Sequence, residues 1–383
     1  MAAVRQTVAY RQPSALDGGR LALQTAGGVP SVDGAPAEHP FLVAGTLTAP
    51  RASAVALAVL ADLCGTDFRR AGPSGGPARD PIVTSGGDRL RAETLTACGG
   101  LYARLDLLPG ALYGVLRAPG STTVDVSPAL CDALSRVGAG DPLHLEVGPD
   151  GPDMPGAAVE KNVPVPERWL RALAGAAPTG AALDLRAELD ATAAAALLHR
   201  LPAHHGRDVR WLLPAGRSVR MTTAPAAGAV CLPGAYRLAV LRPLLPMLRA
   251  LRLYGPPAGA GSPPLAAGWE LDLGPVRFAV LLSPGVERGL STEEIPDPAG
   301  RAAVDAATAA PMLGWDGTID PAGLGLDAGR AGAALAVLAA AGRVGYDWSE
   351  AAWFRRELPY RGLRVDVPAA ATDVPAAATP GTP

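Results

Sequence analysis

The side chains able to do chemistry are few and widely spaced in this sequence. Ser74 lies in Gly72-Pro-Ser-Gly-Gly76, the spacing of a nucleophile elbow. That motif needs a strand before the serine and a helix after it. Pro73 and Pro77 instead place Ser74 in a polar loop, which argues against a nucleophile. His204 and His205 are adjacent, so on a strand they would face opposite ways, and no third metal ligand lies near them in sequence. His39, before Pro40, reads as ordering a turn. His144, in Leu-His-Leu-Glu-Val, reads as a solvent-facing strand position. Cys64, Cys98, Cys131 and Cys231 include no close pair, and match neither a disulfide framework nor a zinc cage. The only lysine, Lys161, sits in Glu-Lys-Asn and follows no phosphate-binding Gly loop. These residues support no enzyme, and no catalytic residue, metal ligand or cofactor is expected.

Binding is the other possibility. The chain has 34 basic and 36 acidic residues, a net charge of −2, so the whole molecule carries no field for polyanions. The densest positive run is Arg237, Arg242, Arg249 and Arg252, around an expected helix at Tyr236–Arg249. Their spacing spreads over a broad helical sector, so a DNA-binding protein using this arginine-bearing helix is the alternative reading. Arginines on a solvated face are the plainer one. Residues 312–365 hold Asp316, Asp320, Asp327, Asp347, Glu350 and Glu357 against six arginines, which predicts weak phosphate attraction. The same stretch offers Trp348, Trp353 and Phe354 as candidate partner-binding anchors, since large aromatics dominate interfaces. Ordinary core packing is the competing role for all three.

The elements that must position these groups follow from periodicity and turn chemistry. Hydrophobic residues are 49% of the 383, enough for a core, while 46 Gly and 39 Pro predict short elements with many turns. Residues 1–40 read as mostly irregular, with one short strand at Leu21–Gln24. In 41–162, Phe41–Thr48 reads as a strand. Thr48-Ala-Pro50 opens a helix with a capping hydroxyl and an early Pro. Ile82–Thr84, Asp88–Leu95 and Leu101–Leu107 read as strands joined by turns at Gly86-Gly87 and Gly99-Gly100. Arg89, Arg91 and Glu93 alternate with Leu90 and Ala92, as in a half-solvated strand. A strand at Thr122–Val126, a helix capped by Ser127-Pro128 and a strand at Leu143–Val147 complete the unit.

Residues 163–290 repeat that order. A strand at Asp184–Leu189 leads to a helix capped by Asp190, then a hairpin of Val209–Leu213 with Ser218–Thr222. The arginine-bearing helix follows, with strands at Leu251–Tyr254, Trp269–Leu273 and Val276–Leu282. The first helices of the two halves start about 140 residues apart, which suggests a duplicated α+β unit. Residues 291–311 read as a linker. In 312–365, a helix over Asp327–Ala341, a Gly turn, a short strand at Arg343–Tyr346 and an aromatic-rich helix over Ser349–Leu358 resemble a winged-helix module. Residues 366–383 read as a disordered tail.

Several strings resemble bacterial SWIM zinc finger family proteins. They include Tyr10-Arg-Gln-Pro-Ser-Ala-Leu16, Asp141-Pro-Leu-His-Leu-Glu-Val-Gly-Pro149, Val163-Pro-Val-Pro-Glu-Arg-Trp-Leu170, Leu251-Arg-Leu-Tyr-Gly-Pro256 and Glu350-Ala-Ala-Trp-Phe-Arg-Arg-Glu-Leu-Pro-Tyr360. The resemblance covers roughly residues 8–362. It implies association with MoxR-type AAA+ ATPases and von Willebrand A-domain proteins, and a nucleic-acid or conflict-system setting. The family's zinc does not carry over, because no Cys-x-Cys…Cys-x-His pattern occurs here.

A second likeness concerns order. Val83-Thr-Ser-Gly-Gly-Asp-Arg-Leu-Arg-Ala-Glu93, Tyr102-Ala-Arg-Leu-Asp106, Val124-Asp-Val-Ser-Pro-Ala-Leu130 and Leu143-His-Leu-Glu-Val147 follow one another as in a sliding-clamp domain. The basic inner helices of clamps are missing: Arg51 alone marks the first helix, His199 and Arg200 the second. The expectation is an α+β chain of two tandem clamp-like domains and a winged-helix-like module. It would act as a cytoplasmic, non-catalytic adaptor without a membrane segment.

Overall fold

The computed structural model describes residues 4–29, 37–70, 80–149, 158–202, 206, 208–287, 289–290, 300–315 and 317–360. Ser74, His204, His205, residues 291–299 and the tail at 366–383 lie outside the described residues. The architecture is mixed helix and sheet, with helices packed on sheets rather than alternating with parallel strands.

The first part of the chain supplies β1 (Val4–Tyr10), β2 (Ala15–Asp17), β3 (Arg20–Leu23), β4 (Thr25–Val29), β5 (Val43–Leu47) and helix α1 (Pro50–Gly65). Next come β6 (Ile82–Gly86), β7 (Arg89–Leu95), β8 (Leu101–Leu107), β9 (Leu112–Leu116), β10 (Gly120–Val124), α2 (Pro128–Ser135) and β11 (His144–Val147). The middle holds β12 (Val159–Val165), α3 (Glu167–Ala181), β13 (Asp184–Asp190), α4 (Ala191–Arg200), β14 (Val209–Ala215), β15 (Ser218–Thr222) and β16 (Val230–Pro233). A 3₁₀ helix at Ala235–Met247 follows, then β17 (Ala250–Gly255), β18 (Ala267–Asp272) and β19 (Val276–Leu282). The last elements are α5 (Arg301–Ala309), α6 (Ala328–Ala340), β20 (Val344–Asp347) and β21 (Ala352–Arg355).

A nine-stranded sheet runs through the molecule in the order β13-β17-β18-β19-β8-β7-β6-β10-β4, joined antiparallel where β19 meets β8. It therefore draws on both expected α+β segments. One face is apolar: Leu251, Leu271, Phe278, Leu105, Ala92 and Val83 stand opposite one another on consecutive strands, all buried. Helix α1 and the 3₁₀ helix cover this face, and α1 is buried along most of its length. A five-stranded sheet, β2-β3-β11-β5-β9, adds Leu21, Leu23, Val43, Leu145 and Val147 to the same core.

Several expectations need correction. The N-cap of α1 is Ala49, with no side-chain cap; Thr48 Oγ1 donates to the Gly110 carbonyl instead (2.8 Å). The helix expected at Tyr236–Arg249 is 3₁₀, because Pro243 and Pro246 lack the N–H that an α-helix needs. Within the first forty residues, the described stretch 4–29 holds four strands where one was expected: β1 pairs with β12 about 155 residues away and β4 closes an edge of the large sheet. Within the expected linker, residues 301–309 form α5, tied to α6 by Asp305–Arg330 (2.6 Å). Finally, Ser349–Leu358 is not a helix but a turn followed by β21. Trp353 and Phe354 point to opposite sides there, the period of a strand. The caps at Ser127 and Asp190 form as expected, accepting from the Leu130 and Ala193 amides.

Candidate functional site

The second face of the nine-stranded sheet is charged. Side chains alternate along a strand, so the residues between the apolar ones share this face. Across the register they form two rows. One runs Asp272, Arg277, Asp106, Arg91, Thr84; the other runs Glu188, Arg252, Glu270, Ala279, Arg104, Glu93. Wherever two charged residues of these rows stand opposite each other they are of opposite sign, which is the favourable cross-strand arrangement. The half-solvated reading of Arg89–Glu93 is therefore corrected: Arg91 is 2% exposed, and Glu93, Arg104 and Asp106 are 0%.

What covers these charges is the hairpin β20–β21. Asp347, at the end of β20, faces three guanidinium groups: Arg104 at 2.8 Å, Arg277 in a short hydrogen bond, and Arg91 at 4.0 Å. Asp106 lies beneath, 3.0 Å from both Arg104 and Arg277 and 3.5 Å from Arg91. Glu350 in the hairpin turn reaches Arg89 (2.5 Å) and Arg277 (3.6 Å). Arg356, beyond β21, pairs with Glu93, which also accepts from the Tyr102 hydroxyl. Burial pushes the Asp347 carboxyl up, but Arg104, Arg277 and Arg91 outweigh it and hold it well below the usual carboxylate range. The neighbouring carboxylates of Asp106 and Asp347 likewise raise Arg104, against its burial. Glu270 has Arg252 as its partner at 2.8 Å, yet burial dominates and raises its carboxyl.

Aromatic rings complete the dock. The Phe354 ring lies 4.2 Å from the Arg91 guanidinium carbon and 5.6 Å from that of Arg104. It also crosses its strand partner Gly345, where an added Cβ would sit 2.3 Å from the ring, so only glycine fits. Trp348 meets Tyr102 edge-on at 6.3 Å and belongs to the same buried cluster as Trp169 and Tyr254. Trp353 meets Tyr346 at 5.0 Å and joins the α5–α6 core. All three expected anchors are thus buried within the chain, joining the C-terminal elements to the sheet.

The four arginines of the alternative reading do not share a surface. Arg237 is fully buried, donating to the carbonyls of Gly100, Pro233 and Ser283, and burial lowers its guanidinium to about 10. Arg242 donates to the Leu201 carbonyl (3.2 Å). Arg249 is exposed, whereas Arg252 stands on the charged sheet face, paired with Glu270 and Glu188.

A second ionic cluster surrounds the sole lysine. Lys161 Nζ lies 2.6 Å from Asp80 and 2.7 Å from Asp125, while the Tyr10 hydroxyl donates to Asp80 and the Ser14 amide to Asp125 (both 2.8 Å). It clips the β1–β12 ribbon to the residues flanking β6 and β10. The sequence shows no sign of the cluster beyond the lysine itself, the single one in an arginine-rich chain. The remaining singled-out groups are local: His39 Nδ1 lies 2.6 Å from the Thr25 carbonyl, and His144 is half-buried beside Thr46 and Glu146. The four cysteines are free, and burial raises the Cys64 thiol to about 12.

Neither a family model nor a curated protein sequence matches the chain, so the SWIM resemblance rests on its strings alone. Among the described residues no helix is long and apolar enough to cross a membrane. Among solved structures, the chain bears a weak likeness to the crystal structure of Proliferating Cellular Nuclear Antigen from Entamoeba histolytica. The TM-score is 0.37 at 9% identity, over 64% of this chain and 99% of that one.

Proposed function

We propose that this protein is a non-catalytic adaptor whose C-terminal elements, residues 300–360, are held on the large sheet by the ionic dock and present a surface built from both. One observation carries the reading: the charged and aromatic side chains gathered on the second face of the sheet are committed to one another across the sheet–hairpin contact. Guanidinium groups saturated by carboxylates are unavailable to phosphate, so nucleic acid is the weaker partner class. Following the SWIM resemblance, the partners proposed are a MoxR-type AAA+ ATPase and a von Willebrand A-domain protein.

Titration calorimetry of the full chain against purified proteins of these two classes tests the reading, alongside gel shifts with duplex DNA in rising salt. Protein binding with no DNA retardation near 150 mM salt is the expected result. DNA retardation that persists there and collapses on Arg249→Ala/Arg252→Ala would establish the alternative.

A further inference from the structure

The five-stranded sheet ends on β9, Leu112-Tyr-Gly-Val-Leu116, and among the described residues no strand pairs with its outer edge. Natural edge strands are usually blunted by charge, proline or a bulge. This one carries none of them, and its register with β5 is unbroken over five residues. Tyr113 and Val115 are 83% and 58% exposed, the two most exposed large apolar groups on any sheet here. Leu112 and Leu116 face inward and pack against the core.

The hydrogen-bonding phase is set at both ends: Thr48 donates to the Ala111 carbonyl, and Arg117 donates to the Leu42 carbonyl. Odd-numbered residues of β9 therefore turn their backbone toward β5. Leu112, Gly114 and Leu116 turn theirs outward, as antiparallel alternation requires.

We propose that this edge pairs with the same edge of a second copy, antiparallel about a two-fold axis through Gly114. That register is self-complementary. Leu112 opposes the partner's Leu116 and Gly114 the partner's Gly114, and each pair exchanges both backbone hydrogen bonds. On the exposed face Tyr113 opposes the partner's Val115, twice by symmetry, an aromatic–β-branched pairing of the favourable kind. Arg117 falls opposite the partner's Ala111, so no like charges meet. Isologous closure also removes the edge rather than propagating it into a fibre. A single strand pair buries little area, so the dimer is weak, with a dissociation constant of about 100 μM. The inference concerns a surface remote from the ionic dock and stands apart from the adaptor reading.

Sedimentation equilibrium of the full chain from about 10 μM to about 1 mM, with three sequences, tests it. Wild type should show a concentration-dependent dimer. Tyr113→Lys/Val115→Lys sets lysine against lysine at both symmetric pairs and should weaken dimerisation at least about tenfold. Tyr113→Lys/Val115→Glu sets lysine against glutamate and should restore it. Both variants change only exposed side chains, and circular dichroism confirms that they fold. A wild type that stays monomeric at the highest concentration, an open-ended series of oligomers, or a dimer indifferent to the two lysines would each overturn the proposal.

Discussion

The two faces of the nine-stranded sheet are made by alternate residues of the same strands, yet they close by different chemistry. On one, Leu251, Leu271, Phe278 and Leu105 meet α1 and the 3₁₀ helix through non-directional burial. On the other, Arg91, Arg104, Arg277 and Asp106 meet Asp347 and Phe354 through directional, charge-assisted contacts. The apolar face tolerates small shifts, because any well-packed hydrocarbon surface can satisfy it. The charged face accepts one docking position, since a displaced Asp347 would leave buried guanidinium groups unpaired. The difference suggests that the first face supplies most of the stability, while the second fixes where residues 300–360 sit.

Mutations can break this contrast. Phe278→Ala on the apolar face should cost about 3–5 kcal/mol in urea unfolding, through lost transfer energy and a cavity. Asp347→Ala should cost about 3 kcal/mol, the penalty of orphaning buried cations. It should also change the fluorescence of Trp348 and Trp353, which Phe278→Ala leaves alone. Equal fluorescence responses would show that the two faces are not separable.

Acid sharpens the comparison further. The Asp347 carboxyl is lowered in the folded chain, so its stabilisation is complete above about pH 4, the unfolded carboxylate value, and is lost as the pH falls toward the lower folded value. Glu270 works in the opposite sense: its carboxyl is raised by burial, so protonation relieves a cost. Stability measured by denaturant titration should therefore fall steeply only below about pH 4 in wild type, and that acid limb should flatten in Asp347→Asn. An unchanged limb would remove Asp347 from the lock. The smallest effect is at the hairpin turn, where Ala351 is held at φ +50°, a left-handed conformation that favours glycine. Ala351→Gly should be neutral to stabilising by up to about 1 kcal/mol, read as an upward shift of the unfolding midpoint.

Much of the scaffold was legible. The strands β6–β8, the hairpin β14–β15, α6 and the Asp190 cap follow from alternation, Gly turns and capping residues near in sequence. The failures share a cause, which is dependence on distant partners. β1 does alternate, with Gln6, Val8 and Tyr10 turned inward and Arg5, Thr7 and Ala9 outward, but the polar Gln6 interrupts its inner side and its partner β12 lies far along the chain. Helix α3 is a different case: Trp169, Leu170, Leu173, Ala176 and Ala177 recur at helical spacing and are buried, so its pattern was legible, but Pro178 and the run of Ala and Gly masked it. The site was half visible. Arg-x-Arg-x-Glu in β7 was seen but assigned to solvent, because polar alternation normally means exposure. Its signal lay in the matching pattern on later strands, Arg104 and Asp106, then Arg277, then Glu270 and Arg252. Charges of opposite sign on successive strands mark a face that is neutralised rather than hydrated. The covering hairpin stayed hidden because Ser349–Leu358 was taken for a helix, which would have turned its aromatics into a stripe instead of two opposed knobs.

The solitary lysine has a practical consequence. An amine-reactive reagent finds a single side-chain target in the whole polypeptide. That target is wedged between two acids and only 23% open, so its acylation should be slow while the N-terminal ribbon is seated and fast once it peels away. The protein thus carries a built-in reporter of local opening, readable by mass spectrometry without engineering any residue.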